Sequence, residues 1–156
     1  MRFLALLAVI TTTLPFATHA FAGPLDHLSG RWTGWGRLHT AGGASEQLKC
    51  VTTYKIKNGG RAAQQNFRCT SSSYRFSAKL NYVANGTSIS GSWREQIYSV
   101  GGTFRGRVQG RSMKMNMRAQ TFDMGVAINS SRCAQNINIR LNGVDIDRIN
   151  IQMKRC

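Results

Sequence analysis

The residues through which this chain could do chemistry are few: four cysteines (Cys50, Cys69, Cys133, Cys156), three histidines (His19, His27, His39) and six carboxylates. A metal site needs several donors converging on one point, and His27 and His39 stand apart from every cysteine and acid, so no metal is expected. No Gly-x-Ser-x-Gly setting for a nucleophile is present, and the Gly-Gly pairs read as turns rather than as phosphate cradles. General acid–base catalysis needs titratable groups within reach of one substrate. Asp26, Glu46, Glu95, Asp123, Asp145 and Asp147 form no such pair by spacing. The chain therefore reads as non-enzymatic, with no catalytic residues and no cofactor. Its cysteines are even in number, which favours two disulfides over a reactive thiol.

The N-terminus says where such bridges would persist. Arg2 precedes an apolar run over residues 3–10, and Ala20-Phe21-Ala22 follows. The run is too short to span a bilayer, and small residues after it predict a secretory signal peptide over residues 1–22. Residues 23–156 then form a single domain in the periplasm or outside the cell, where disulfides last. Charge is the other bulk signal. Lys and Arg number 21 against 6 Asp and Glu, a formal net charge of +15, which attracts anionic partners.

The elements that must position these residues are strands. Apolar and polar residues alternate, as half-buried strands require: Tyr74, Phe76, Ala78, Leu80 and Tyr82 share one face, as do Met113, Met115 and Met117. Turn residues punctuate the segments, among them Asn58-Gly59-Gly60, Asn85-Gly86 and Asn142-Gly143. Opposed residues of an antiparallel hairpin share a face, so turn and alternation test each other. The turns predict Tyr82 opposite Ile89 and Ala78 opposite Trp93, then Ile97 opposite Phe104, Phe104 opposite Met117, Met115 opposite Met124, Met124 opposite Ile137, and Ile137 opposite Ile151. Each hairpin keeps the apolar set on one continuous face. Upstream, Cys50 falls directly opposite Cys69, which predicts that bridge. Cys133 and Cys156 pair by remainder, with a frayed last residue or a bulge, because Arg155 is the residue opposite Cys133. With a first strand over residues 31–38 the count comes to about ten strands, enough to curl and close. The expected fold is an all-β, antiparallel up-and-down barrel without substantial helix.

The apolar face then points inward. Trp93, Tyr54, Tyr74, Phe76, Phe104 and Met115 become candidate walls of a ligand site. Glu95 joins them by parity, either as a polar anchor for a ligand or as a carboxylate near the barrel mouth, wet or paired with Arg94 or Arg105 across a bulge. Gln65 and Gln135 also point inward. The other face carries Arg75, Lys79, Arg105, Arg107, Lys114 and Arg118. Lipid cannot cover such a face, so the barrel is not expected in a membrane.

The segment Leu28-Ser29-Gly30-Arg31-Trp32-Thr33-Gly34-Trp35-Gly36 resembles the first-strand G-x-W signature of the calycin barrels, the lipocalins and fatty-acid-binding proteins among them. With Gly34 and Gly36 it looks most like the helix-poor, ten-stranded nitrobindin-like branch, and the whole chain resembles short exported proteobacterial proteins. The resemblance implies a Trp at the barrel base, here Trp32, covered by an Arg from the end of the last strand, here Arg155. A guanidinium over an indole is a favourable contact. The resemblance also implies departures. Residues 39–45 leave no room for a helical lid, and no His follows His39, so haem is not carried over.

The function expected is a carrier or sensor of a small apolar or amphipathic ligand inside the barrel. The alternatives are a basic module for anionic envelope components (lipopolysaccharide, anionic lipid or polysaccharide) and an inhibitor of an exported enzyme. A nucleic-acid partner is not expected of an exported protein, and the sequence leaves ligand and oligomeric state open.

Overall fold

Alternation carries through to the structure, a computed structural model that describes residues 22–156. The expected leader lies outside the described residues except for Ala22. A three-residue 3-10 turn (Asp26–Leu28) precedes ten strands: β1 (Gly30–Thr40), β2 (Ser45–Lys57), β3 (Ala62–Thr70), β4 (Arg75–Asn85), β5 (Ser88–Glu95), β6 (Gly101–Gln109), β7 (Ser112–Arg118), β8 (Asp123–Ser130), β9 (Ala134–Asn142) and β10 (Ile146–Lys154). Each pairs antiparallel with its sequence neighbours, and β1 pairs with β10, which closes the barrel and leaves no sheet edge. No helix among the described residues is long and apolar enough to cross a membrane.

Three hairpin registers are as the turns predict. Cys50 opposes Cys69, Phe104 opposes Met117 and Ile137 opposes Ile151. Four others are displaced. Trp93 faces Leu80 rather than Ala78, Met115 faces Val126 rather than Met124, and Met124 faces Leu141 rather than Ile137. The largest displacement puts Phe104 opposite Gly91 rather than Ile97. In each case the turn sits a residue or more away from the dipeptide that signals it. Residues 96–100, for example, form a wide loop in which Ser99 takes a left-handed φ of 55° and Glu95 N donates to Val100 O. Ile97 is thereby put on the surface, half exposed, instead of inside. Every displacement is even, so residues within the strands keep their faces. Ile97 is the exception, because it falls in the loop between β5 and β6.

The two ends of the barrel differ. At the base, consecutive turns are laced together: Leu25 N donates to Gly60 O, Ala84 N to Arg61 O, Val108 N to Thr87 O, Ser130 N to Arg111 O and Arg155 N to Cys133 O. Leu25 and Leu28 are fully buried and plug this end. The chain passes from plug to β1 through Gly30, whose φ of 100° is a conformation that a Cβ disfavours. Trp32 follows, fully buried, its indole N–H donating to Leu28 O at 2.8 Å. The Arg155 guanidinium lies 4.3 Å from the Trp32 ring centroid and donates to Ser29 O at 2.6 Å, His27 O at 3.3 Å and Arg132 O at 2.7 Å. Strand β10 ends at Lys154, and past it Cys156 swings back to bond Cys133. Further along β1 the backbone of β10 comes so close that a Cβ on Gly34 would strike Gln152 O. Outward positions carry the cations: Arg75, Lys79, Arg105, Arg107, Lys114 and Arg118 are all exposed.

Candidate functional site

Above the plugged base the interior changes from packed core to polar network to open space. Tyr54, Gln65, Tyr82 and Gln135 are all buried. Gln65 Nε2 donates to Thr52 Oγ1 at 2.9 Å and to the Tyr54 hydroxyl at 3.0 Å, and Tyr82 donates to Gln65 Oε1. Gln135 Nε2 donates to Ser130 Oγ at 3.1 Å, and the Tyr54 hydroxyl reaches Gln135 Oε1 at 3.5 Å. Burial pushes both phenols above their ordinary pKa, so they act as neutral hydrogen-bonding groups. A network with its members paired avoids the penalty of buried polar groups.

Over that floor lies a cavity of about 490 Å³ reaching the opposite end of the barrel. Its wall is built by inward positions of β3 to β5 and β7 to β10, including Phe67, Leu80, Met117, Val126 and Ile139. Loops raise the rim: Tyr98 from the β5–β6 loop, Phe122 from the β7–β8 loop and Val144 from the β9–β10 loop. Aromatic rings cluster there, with Tyr74 stacked on Phe76 at 6.3 Å, Tyr98 6.5 Å from Phe76, and Trp93 6.0 Å from Phe122. The volume falls in the range of small-molecule sites, about 300–1,000 Å³. Its polar side chains are few: Gln65 and Tyr82 in the floor, Tyr74 and Glu95 in the wall, Tyr98, Thr121 and Asp145 at the rim.

Of the residues singled out in the sequence, Trp93, Glu95, Tyr74, Phe76 and Met115 line this cavity. Tyr54 and Phe104 do not. Tyr54 is tied into the floor network, and Phe104 packs on Tyr82 at 4.9 Å, occupying the space that Gly91 opposite it leaves bare. Glu95 makes neither of the ion pairs considered. Its Oε1 accepts from Ser77 N at 2.7 Å and its Oε2 from Tyr98 N at 2.6 Å, so it caps the β5–β6 loop onto β4. The Trp93 indole N–H is buried without a hydrogen-bond partner. The rim residues Tyr98, Val144 and Asp145 have no periodic signal, because loops supply them, whereas Phe122 continues the alternation of Met124, Val126 and Ile128 that the sequence shows. Among the described residues no three His, Cys, Asp or Glu side chains cluster as metal ligands.

The same fold occurs in proteins of known structure. The S-type phycobiliprotein lyase CPES of Guillardia theta matches with a TM-score of 0.62 over 83% of this chain and 88% of its own, at 6% identity. Rv2717c of M. tuberculosis matches with a TM-score of 0.64 over 85% of this chain and 94% of its own, at 12% identity. The likeness is one of fold alone, a closed antiparallel β-barrel. No protein-family model and no curated protein matches the sequence.

Proposed function

We propose that this protein is an exported binding protein that carries or senses one small apolar or amphipathic molecule in its barrel. The observation that carries this reading is the cavity itself, apolar over nearly all its wall and reaching one end of the barrel while the other end is plugged. Empty apolar space forfeits dispersion contacts, so an apolar occupant gains both contacts and release from water. The unpartnered Trp93 N–H in the wall favours a ligand that brings a hydrogen-bond acceptor. Binding without catalysis is supported by the state of Glu95, the only carboxylate in the wall below the rim, whose two oxygens are both committed to backbone amides. A barrel with a charged exterior works in water, and two disulfides suit an oxidising compartment such as the periplasm. The lyase with the same fold shares only 6% of its residues with this chain and carries no activity over to it.

The test is native mass spectrometry of the processed protein purified gently from its own host, followed by the Ala78→Phe variant, which fills the cavity from its wall. A mass excess that leaves on denaturation and is lost in the variant supports the reading. A protein that takes up no apolar probe, or takes it up equally in both forms, defeats it.

A further inference from the structure

The outside of the barrel poses a separate question, because its charges face one another. Across adjacent strands Lys79 stands directly opposite Arg94, Arg107 opposite Lys114, and Arg140 opposite Arg148. Directly opposed like charges destabilise a sheet. Against these three pairs the described residues hold one ion pair, Arg118 to Asp123 at 3.7 Å. The counter-charge that such a surface needs is not within the molecule.

Two troughs on this exterior show where it would be held. One, of about 710 Å³, lies across β6 to β9 and is lined by Arg105, Arg107, Lys114 and Arg140, with no acid among its walls. Its floor is low because the middle of β8 sets only Gly125 and Ala127 outward between β7 and β9, with Asp123 and Asn129 at the strand's two ends. The second, of about 650 Å³, continues over β8, β9, β10, β1 and β2, and the two meet at Asn138. This one is lined by Arg37 and by amides, Gln47, Asn129, Asn136, Asn138, Asn150 and Gln152. Of the amides only Asn129 hydrogen-bonds another described side chain, accepting from Ser112 Oγ at 2.8 Å. Trp35 forms part of its wall. It stands 55% exposed in mid-strand, with Lys49 Nζ 5.8 Å from its ring centroid.

We infer that this belt is a binding site for an acidic polysaccharide. The three features fit three parts of one ligand. Cations without partners take its carboxylates, free amides take ring hydroxyls, which both donate and accept, and an exposed indole takes the apolar C–H face of a sugar ring. From Trp35 on β1 to Arg107 on β6 the belt crosses five strand spacings, about 24 Å at the usual separation, room for several linked sugars. A single-stranded nucleic acid fits less well, since it is gripped by successive aromatic platforms and Trp35 is the only aromatic in either trough. An anionic bilayer fits the charge but leaves the row of amides without a role.

The experiment measures binding of the processed, oxidised protein to polygalacturonate, with neutral dextran, oligo-dT and phosphatidylglycerol vesicles as competitors. Polygalacturonate is expected to bind in a salt-sensitive manner and to be displaced poorly by the other three. Trp35→Ala should weaken it about tenfold, with Trp35→Tyr restoring most of the loss, and Arg107→Ser with Lys114→Ser should flatten the salt dependence. Neither change lies in the core, so both variants fold. Stronger binding of oligo-dT or vesicles, or a Trp35→Ala variant that binds polygalacturonate as tightly as the parent, overturns the inference. Ala78→Phe should leave polygalacturonate binding untouched, which separates this belt from the cavity.

Discussion

Arg155 holds the carbonyls of Ser29, His27 and Arg132 and one face of Trp32 at once. Only a planar fork with several donors meets four partners in fixed directions; an ammonium on a flexible stem does not. Arg155→Lys is therefore expected to cost about 2 kcal/mol, read as a lower urea midpoint with an unchanged m-value. His27 lies beside this group, and its imidazole is held below its ordinary 6.5, first by burial and then by Arg111 and Arg155, against the Pro24 carbonyl and Asp26. The unfolded chain then binds the proton more readily than the folded one, so stability is complete above about 6.5 and falls as the pH drops below it. Unfolding measured from pH 8 to pH 5 should show that decline, and His27→Gln should remove it. Glu46 adds a second acid window. The nearby Ser71 and Ser73 hydroxyls hold this exposed carboxylate down to about 2, together with Ser72 Oγ and Ser73 N, which donate to its Oε2 at 3.0 and 3.1 Å. Its contribution is present above its ordinary 4.5 and is lost as pH falls toward 2, which an NMR titration of the Glu46 carboxyl would follow.

At the scale of strands the disulfides do different work, the first expected from its register and the second by remainder. Cys50–Cys69 joins directly opposed residues in mid-sheet, closing 19 residues, and Cys133–Cys156 closes 23 at the chain's end. Loops of that size suggest about 3 kcal/mol for each. Replacing Cys50 and Cys69 by Ser should lower stability by that amount and leave the base intact. Replacing Cys133 and Cys156 should in addition free the last residues, loosen Arg155 from Trp32, and shift the indole emission before global unfolding. The hairpin registers were legible only as far as turn chemistry was local. Asn58-Gly59-Gly60 and Gly110-Arg111 mark their turns where they occur, each with a glycine at positive φ. The β5–β6 connection is set instead by a carboxylate reaching two amides from different elements, Ser77 on β4 and Tyr98 in the loop, and no spacing in the sequence announces that.

The molecule as a whole carries a net charge of +15 with one ion pair among its described residues. Self-repulsion of that kind weakens a compact state, and salt screens it. The melting temperature should rise as sodium chloride goes from 20 to 300 mM, whereas for a fold held by surface ion pairs it would fall. Polygalacturonate, if it occupies the belt, should raise it at far lower ionic strength.

Face assignment, barrel closure and the Cys50–Cys69 pairing followed from alternation because the side-chain period of a strand is two and every register displacement here was even. Cys133–Cys156 then followed by remainder. Within strands the inward or outward sense survived errors in the partner, whereas Ile97, carried into the β5–β6 loop, lost it. Depth along the barrel axis did not survive them. Tyr54, Phe104 and Trp93 all point inward, yet the first belongs to a hydrogen-bonded floor, the second fills the gap beside Gly91, and only Trp93 reaches the cavity. That height is set by where each hairpin turns and by which interior volumes are already filled. Both depend on contacts between strands far apart in sequence, so the cavity came into view only with the closed barrel.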